Sequence, residues 1–212
     1  YVEYGLIAII LTLIIISGEI DLSIASMIAL TAVIFGTAYN AGLGMPVSMV
    51  IALISGTLCG LFNGILVTQL QIPSIILTIG TLTLYRGIAQ SLASDFSLGG
   101  YPSWFIGIDY RYVGIVPIPV IIFTVFAIVA GFFLSSTIYG KQLYLIGTNP
   151  QTAKYSGIKV DRIKLLLFTL SGLVCGIAGI LTTSRLAVAR FNMATGAELE
   201  IVLMVMLGGT YI

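Results

Sequence analysis

Acidic side chains inside an apolar chain are the first place to look for chemistry, and two lie close together here. Glu19 and Asp21 fall in Gly18-Glu-Ile-Asp-Leu-Ser23, between two apolar runs. A carboxylate in hydrocarbon is costly and often functional. The two serve poorly as an acid–base pair, because at alternate positions they would point to different sides of a helix. The chain has no His, which removes the commonest general base and metal ligand. It contains no HExxH, no GxSxG and no phosphate-cradling glycine loop followed by Lys and Ser/Thr. Cys59 and Cys175 both sit in apolar runs, where a small packing residue is expected rather than a disulfide or a metal ligand. No catalytic, cofactor-binding or metal-ligating residues are therefore expected, and an ATP-driven process would need its nucleotide site on another chain. Ser23, Asn63, Thr78, Thr81 and Arg86 are further polar side chains in apolar surroundings. Such hydroxyls and amides either hydrogen-bond between helices or face a pathway. Arg86 lies about 18 Å up its helix at 1.5 Å per residue, where it either lines a cavity or snorkels to an interface. Together with Glu19 and Asp21, these residues are the candidates for lining a pathway.

The elements that must position them are membrane helices. Of 212 residues, 58% are hydrophobic and 8% charged, against about 25% charged in a soluble domain. Several apolar runs reach the roughly 20 residues that cross a bilayer as helix, and the ten-residue alternation of a barrel is absent. The fold class is an all-α polytopic membrane protein with the lipid bilayer as its solvent. About six to seven membrane segments are expected in a single transmembrane domain over residues 1–212. A net charge of +1 points to no nucleic-acid partner. Tyr1 enters an apolar run almost at once and Ile212 stops inside another, so a longer protein is expected, with spans missing at both ends.

Along the chain, Tyr1–Ser17 and Ile24–Tyr39 are apolar. The 18–23 interval is either a break within a helix at depth or an interfacial turn. Spans are expected over Val47–Leu70, Ser74–Ala93, Ile118–Ser135 and Lys164–Ser184, with a last one from near Glu200. The 94–119 interval, with Trp104, Asp109, Tyr110, Arg111 and Tyr112, carries aromatics suited to the headgroup zone. Gly56, Gly60 and Gly64 share one helical face, and Gly172 and Gly176 share another. Ser55-Gly-Thr-Leu-Cys-Gly60 echoes Ser171-Gly-Leu-Val-Cys-Gly176, in spans expected to run opposite ways. Either an inverted repeat or chance similarity of glycine-rich spans accounts for the echo.

The longest polar interval is 140–164, which holds five of the nine basic residues: Lys141, Lys154, Lys159, Arg162 and Lys164. Asn149 is a good N-cap, Pro150 suits the first helical position and Gly157 is a natural C-terminal stop. A helix from Pro150 to Ser156 would be roughly 10 Å long, and Asp161 could cap the next one. A solvated loop with a chance Asn-Pro is the alternative. The positive-inside rule puts 140–164 in the cytoplasm, with 40–46, 94–117 and 185–197 outside and 69–73 inside.

The chain resembles a permease subunit of the bacterial ABC importers for sugars, in the group serving ribose, xylose, rhamnose and autoinducer-2. The resemblance is carried by Ser17-Gly-Glu-Ile-Asp-Leu-Ser23 with Ala25-Ser26, and by Gly60-Leu-Phe-Asn-Gly64. Ile72-Pro73, Thr78-Ile-Gly-Thr81 and Tyr85-Arg-Gly87 continue it. Its strongest block is Ile146-Gly-Thr-Asn149, Ala153, Ser156-Gly-Ile158 and Val160-Asp-Arg-Ile-Lys164, followed by Gly196-Ala-Glu-Leu199 and Leu207-Gly-Gly-Thr210. It implies that 147–157 holds the helix that couples to a separate ABC ATPase subunit, through Gly147, Asn149, Pro150, Ala153, Lys154, Tyr155, Ser156 and Gly157. It also implies a periplasmic or extracellular substrate-binding protein, a second permease subunit in a homo- or heterodimer, and a plasma (inner) membrane location. Arg111, Arg185 and Arg190, cations on the outer side, are candidates for docking the binding protein. The runner-up reading is an ion-coupled carrier.

Overall fold

A computed structural model describes residues 2–108 and 111–210; Tyr1, Asp109, Tyr110, Tyr211 and Ile212 lie outside the described residues. The elements in order are α1 (Val2–Ile16), α2 (Ile24–Asn40), α3 (Met45–Thr68), α4 (Ser74–Ala93), α5 (Ser103–Ile106), β1 (Tyr112–Val113), β2 (Val116–Pro117), α6 (Ile118–Ser136), α7 (Ile138–Thr148), α8 (Pro150–Tyr155), α9 (Val160–Leu186) and α10 (Ala197–Leu207). Among the described residues, α3, α4, α6 and α9 are long and apolar enough to cross a membrane; α1 and α2 are shorter apolar helices.

The bundle is built around α9, which packs against α1, α2 and α3. Small residues make the α3–α9 contact possible. A β-carbon at Gly172 would sit 2.1 Å from the Gly56 carbonyl oxygen, and one at Gly60 would sit 2.2 Å from that of Phe168. The two glycine runs read as an echo in the sequence thus face each other in antiparallel helices. With no side chain between them, the backbones gain close van der Waals contact, the main attraction available between helices in lipid. The helix α2 packs against both α3 and α9: Thr31 lies beside Gly56, and its Oγ1 donates to the Cys175 carbonyl at 3.3 Å. The helix α6 packs on α1 through Phe123, which covers Gly5; most of its surface faces outward.

The 17–23 interval is not a break in a straight helix but a turn between two helices of opposite direction. Glu3 pairs with Arg185 and Glu19 with Lys164, so α1 runs antiparallel to α9. Asp21 meets Ser171, and Ile28 and Thr31 meet Gly179, so α2 runs parallel to it. The chain reverses between them. Lys164 and Ser171 are seven residues apart on α9, so α2 starts about 10 Å deeper in the bundle than the Glu19 pair. The 187–196 interval behaves comparably from the other end. Ala189 and Met193 are buried against Ala29 and Ala32, and α10 starts inside the bundle and ends with Gly209 beside Ile16 and Gly18.

An aromatic cluster closes the end opposite the basic interval. Phe35, Tyr101 and Phe105 stack within 5.2–5.4 Å of one another, and Tyr39 and Trp104 flank them. Burial pushes the Tyr101 hydroxyl well above its usual range. It therefore stays protonated and donates to the Leu98 carbonyl at 3.2 Å.

Candidate functional site

Two polar constellations stand out, one at the basic end of the bundle and one in its interior. The first is the turn of helix α8. Asn149 Oδ1 accepts the Thr152 N–H at 3.0 Å, the expected N-cap, and Pro150 occupies the first helical position. Gly157, at φ +84°, ends the helix in the left-handed conformation that favours glycine. The following Ile158 N–H donates to the Ala153 carbonyl at 3.1 Å. Asp161 does not cap α9, whose preceding residue Lys159 makes no side-chain cap. It pairs instead with Lys154 at 2.9 Å, tying α8 to the first turn of α9.

The coupling candidates divide by position. Ala153 faces inward and packs with Ile146, Ile158 and Val160; it seats the helix rather than presenting it. Pro150, Lys154, Ser156 and Gly157 are exposed, and Tyr155 is 92% exposed. An aromatic side chain left almost fully outside a packed structure is the residue type that anchors protein interfaces. Gly147 has a different role. A β-carbon there would lie 2.0 Å from the Ile16 carbonyl oxygen, so α7 rests backbone to backbone on the last turn of α1. A groove of about 580 Å³ runs beside α8, with Glu19, Ile72, Pro73, Tyr155 and Lys164 among its walls.

The second constellation is a buried relay where α2, α3, α4 and α9 meet. Tyr85 Oη lies 2.9 Å from both Asn63 Oδ1 and the Cys59 carbonyl. Asn63 Nδ2 donates to Ser23 Oγ at 2.9 Å, and Ser23 Oγ donates to Asp21 Oδ1 at 2.6 Å. The Ser23 N–H adds a second donor to the same oxygen, and Ser171 Oγ approaches Asp21 Oδ2 at 3.4 Å. Thr78 Oγ1 donates to the Ser74 carbonyl at 2.7 Å, and the Ile20 N–H donates to Ser74 Oγ at 3.1 Å. Thr81 lies one turn further, 3.4 Å from the Thr78 carbonyl. Asp21, Ser23, Asn63, Thr78 and Ser171 are fully buried, as nearly is Tyr85. Each polar group holds another, which is the condition for polar side chains inside an apolar bundle. In this conformation the relay fixes the start of α2.

Two pathway candidates stand apart from the relay. Glu19 is ion-paired with Lys164 at 2.5 Å at the basic end. Arg86 does not snorkel: its Nη1 donates to the carbonyls of Phe191 and Met193 at 2.6 and 2.7 Å, bracing the 187–196 segment. Glu198 lies within electrostatic reach of Arg86, and its Oε2 is buried without a hydrogen bond among the described residues. The three arginines read as docking candidates also divide. Arg111 and Arg190 are exposed. Arg185 is engaged with the buried Glu3 at 2.5 Å and serves the bundle.

Sequence reading missed Glu3, Tyr85, Ser171 and Glu198 as partners. Tyr85 and Glu198 carried a signal as members of motifs shared with sugar permeases, and Ser171 as the first residue of the glycine-rich echo.

The chain is similar in sequence to known transport permeases. The autoinducer 2 import system permease protein LsrD of Escherichia coli K12 is 33% identical over 218 residues, covering 100% of this chain and 66% of that protein. The LsrD proteins of Escherichia coli O157:H7 and Shigella flexneri match with the same identity and coverage. The chain thus spans 66% of the length of these relatives. No solved structure gives a significant match. The resemblance read from the motifs holds, and residues 2–212 match the family described as branched-chain amino acid transport system / permease component. With its helices, its capped basic turn and that match, the chain belongs to this family of transport permeases.

Proposed function

We propose that this chain forms most of the membrane-spanning subunit of an ATP-driven importer for a sugar or sugar-like small solute. The single observation that carries this reading is α8. It is a short helix, capped at both ends and seated through Gly147 on the end of α1, and it presents Tyr155 outward. A helix so held suits the transfer of force from a separate ABC ATPase subunit. In this reading the basic end is cytoplasmic, the membrane is the bacterial plasma (inner) membrane, and α1, α2, α3, α4, α6 and α9 are six spans. The 11-residue α10 enters from the outer side as a partial span. A solute-binding protein docks outside near Arg111 and Arg190, and a second permease subunit, identical or related, completes the pathway. Alternating access then requires an element with two arrangements that nucleotide biases. The relay of Asp21, Ser23, Asn63 and Tyr85 is the proposed lock of the closed arrangement, and Thr78 and Thr81 border the pathway once it opens.

The test is reconstitution of the full-length protein with its candidate ATPase and binding protein. Solute-loaded binding protein should stimulate ATP hydrolysis, and Tyr155→Ala should abolish the stimulation. Asp21, a buried acid with hydroxyl and amide donors and no cation among its described contacts, gives the ion-coupled reading its one supporting observation. Transport that persists without any ATPase and collapses with the proton or sodium gradient would establish that reading instead.

A further inference from the structure

At the end of the bundle away from the basic turn, two irregular segments clamp a recess of about 220 Å³. Its walls are Asp95, Phe96, Ser97, Arg190, Phe191 and Asn192. Three contacts outside the recess hold it in shape. Leu98 and Ala189 exchange backbone hydrogen bonds at 2.9 and 2.8 Å, fixing the two segments side by side. Arg86 holds the carbonyls of Phe191 and Met193 from below. Gln90 Nε2 donates to Asp95 Oδ1 at 3.0 Å and orients that carboxylate. Ser94 and Asp95 both adopt left-handed backbone, at φ +48° and +61°. Two successive non-glycine residues in that region carry strain, which persists only where surrounding structure enforces it.

The lining has a particular chemistry. One carboxylate, one guanidinium, one amide and one hydroxyl offer both acceptors and donors at short range. Their charges cancel, so a net ionic ligand gains little. Phe96, 74% exposed, and Phe191 supply aromatic faces for the C–H side of a saturated ring. The volume is below the roughly 300–1,000 Å³ of pockets for drug-sized ligands, which limits the occupant to a single small ring.

We propose that this recess is a solute subsite at the outer mouth, binding neutral monosaccharide-sized polyols as they leave the external binding protein. The proposal deepens the importer reading and rests on it. Phe96 stacks against the ring, Asp95 accepts from vicinal hydroxyls, and Arg190 and Asn192 donate to the ring's oxygens.

Saturation-transfer NMR and calorimetry on the full-length permease in nanodiscs, with no ATPase or binding protein present, test it separately from the importer reading. D-ribose, myo-inositol and L-leucine are the probes. Binding of a polyol is expected, about tenfold weaker in Phe96→Ala and in Asn192→Ala. Both variants are exposed loop changes, and unaltered thermal unfolding will show that they fold. Polyol binding unchanged in both variants, or absent from the wild-type permease, overturns the proposal. So does binding of L-leucine that is lost in Arg190→Gln, since the opposed Asp95 and Arg190 would then serve a zwitterion. The importer reading would survive each of these outcomes, because it depends on stimulated ATP hydrolysis.

Discussion

Gly56 and Gly172 meet backbone to backbone. A β-carbon on either would lie 2.4 Å or less from the other's carbonyl oxygen. Neither neighbour is a flexible side chain that could swing aside, so α3 and α9 must separate to admit even a methyl group. Gly172→Ala is expected to lower stability by about 1–3 kcal/mol through overpacking. Gly80→Ala, at a position with nothing within 4 Å, should be neutral or slightly stabilising. Thermal unfolding in detergent compares the two; equal midpoints would mean that the helices are not in this contact.

Gly147 tests the seat of α8. Gly147→Ala should displace α7 from Ile16 while leaving membrane insertion intact, so that ATP hydrolysis proceeds without solute transport. Gly157→Leu should act similarly by straining the left-handed C-terminal residue at a cost of about 1–2 kcal/mol. Normal transport in both variants would reduce the α8 region to a linker.

Tyr155→Ala should leave the unfolding midpoint unchanged, because the side chain touches little. It should weaken association with the ATPase subunit by about 2 kcal/mol, roughly 30-fold. Pull-down and surface plasmon resonance report the association directly.

Removing the central member of the relay, as Asn63→Ala, leaves Ser23 and Tyr85 without a shared partner. A loss of about 1–3 kcal/mol is expected. In the importer reading the same change also raises ATP hydrolysis in the absence of solute, since the closed arrangement loses its lock. A stability loss with unchanged basal hydrolysis would leave the relay a purely structural feature.

Charge reversal separates the arginines. Arg185→Glu breaks its pair with buried Glu3 and should cost about 2–3 kcal/mol, less than the ~3–5 kcal/mol of a fully buried pair, because the arginine is partly exposed. Arg190→Glu should leave stability unchanged and weaken stimulation by the binding protein. Differential scanning fluorimetry alongside the ATPase assay resolves the two effects.

Much of the fold was legible because apolar runs end at strong punctuation. The α4 span was read as Ser74–Ala93 and is found there, set off by Pro73. The caps of α8 were legible for the same reason: Asn149, Pro150 and Gly157 each act on the backbone within a few residues. The helix α7 was not foreseen. Its inward residues, Leu143 and Ile146, are bracketed by Gly140, Gly147, Lys141 and Gln142, so the interval reads as polar loop. The reversal at 17–23 could not be located in depth, because Asp21 is fixed by Ser171, 150 positions away. The ion pair of Arg185 was not legible for the same reason, its partner being 182 positions upstream. Local signals reveal where helices start and stop; long-range partners decide which polar residues are buried.

The ion pairs at the two ends of α1 have a mechanical consequence. Glu3–Arg185 and Glu19–Lys164 bolt α1 to α9 over their shared length, with the two cations about 32 Å apart along α9 at 1.5 Å per residue. Helices pinned at both ends cannot slide past one another without breaking a charged contact. They behave as a single lever. A push on α8, received through Gly147 at the end of α1 and through the Lys154–Asp161 pair at the start of α9, enters that lever at one end. It leaves at Arg185, immediately before the segment whose residues line the outer recess. In the importer reading, displacement at the basic end is carried along this pair, and the stiffness of one bolted helix pair sets how tightly the two ends of the bundle are geared together.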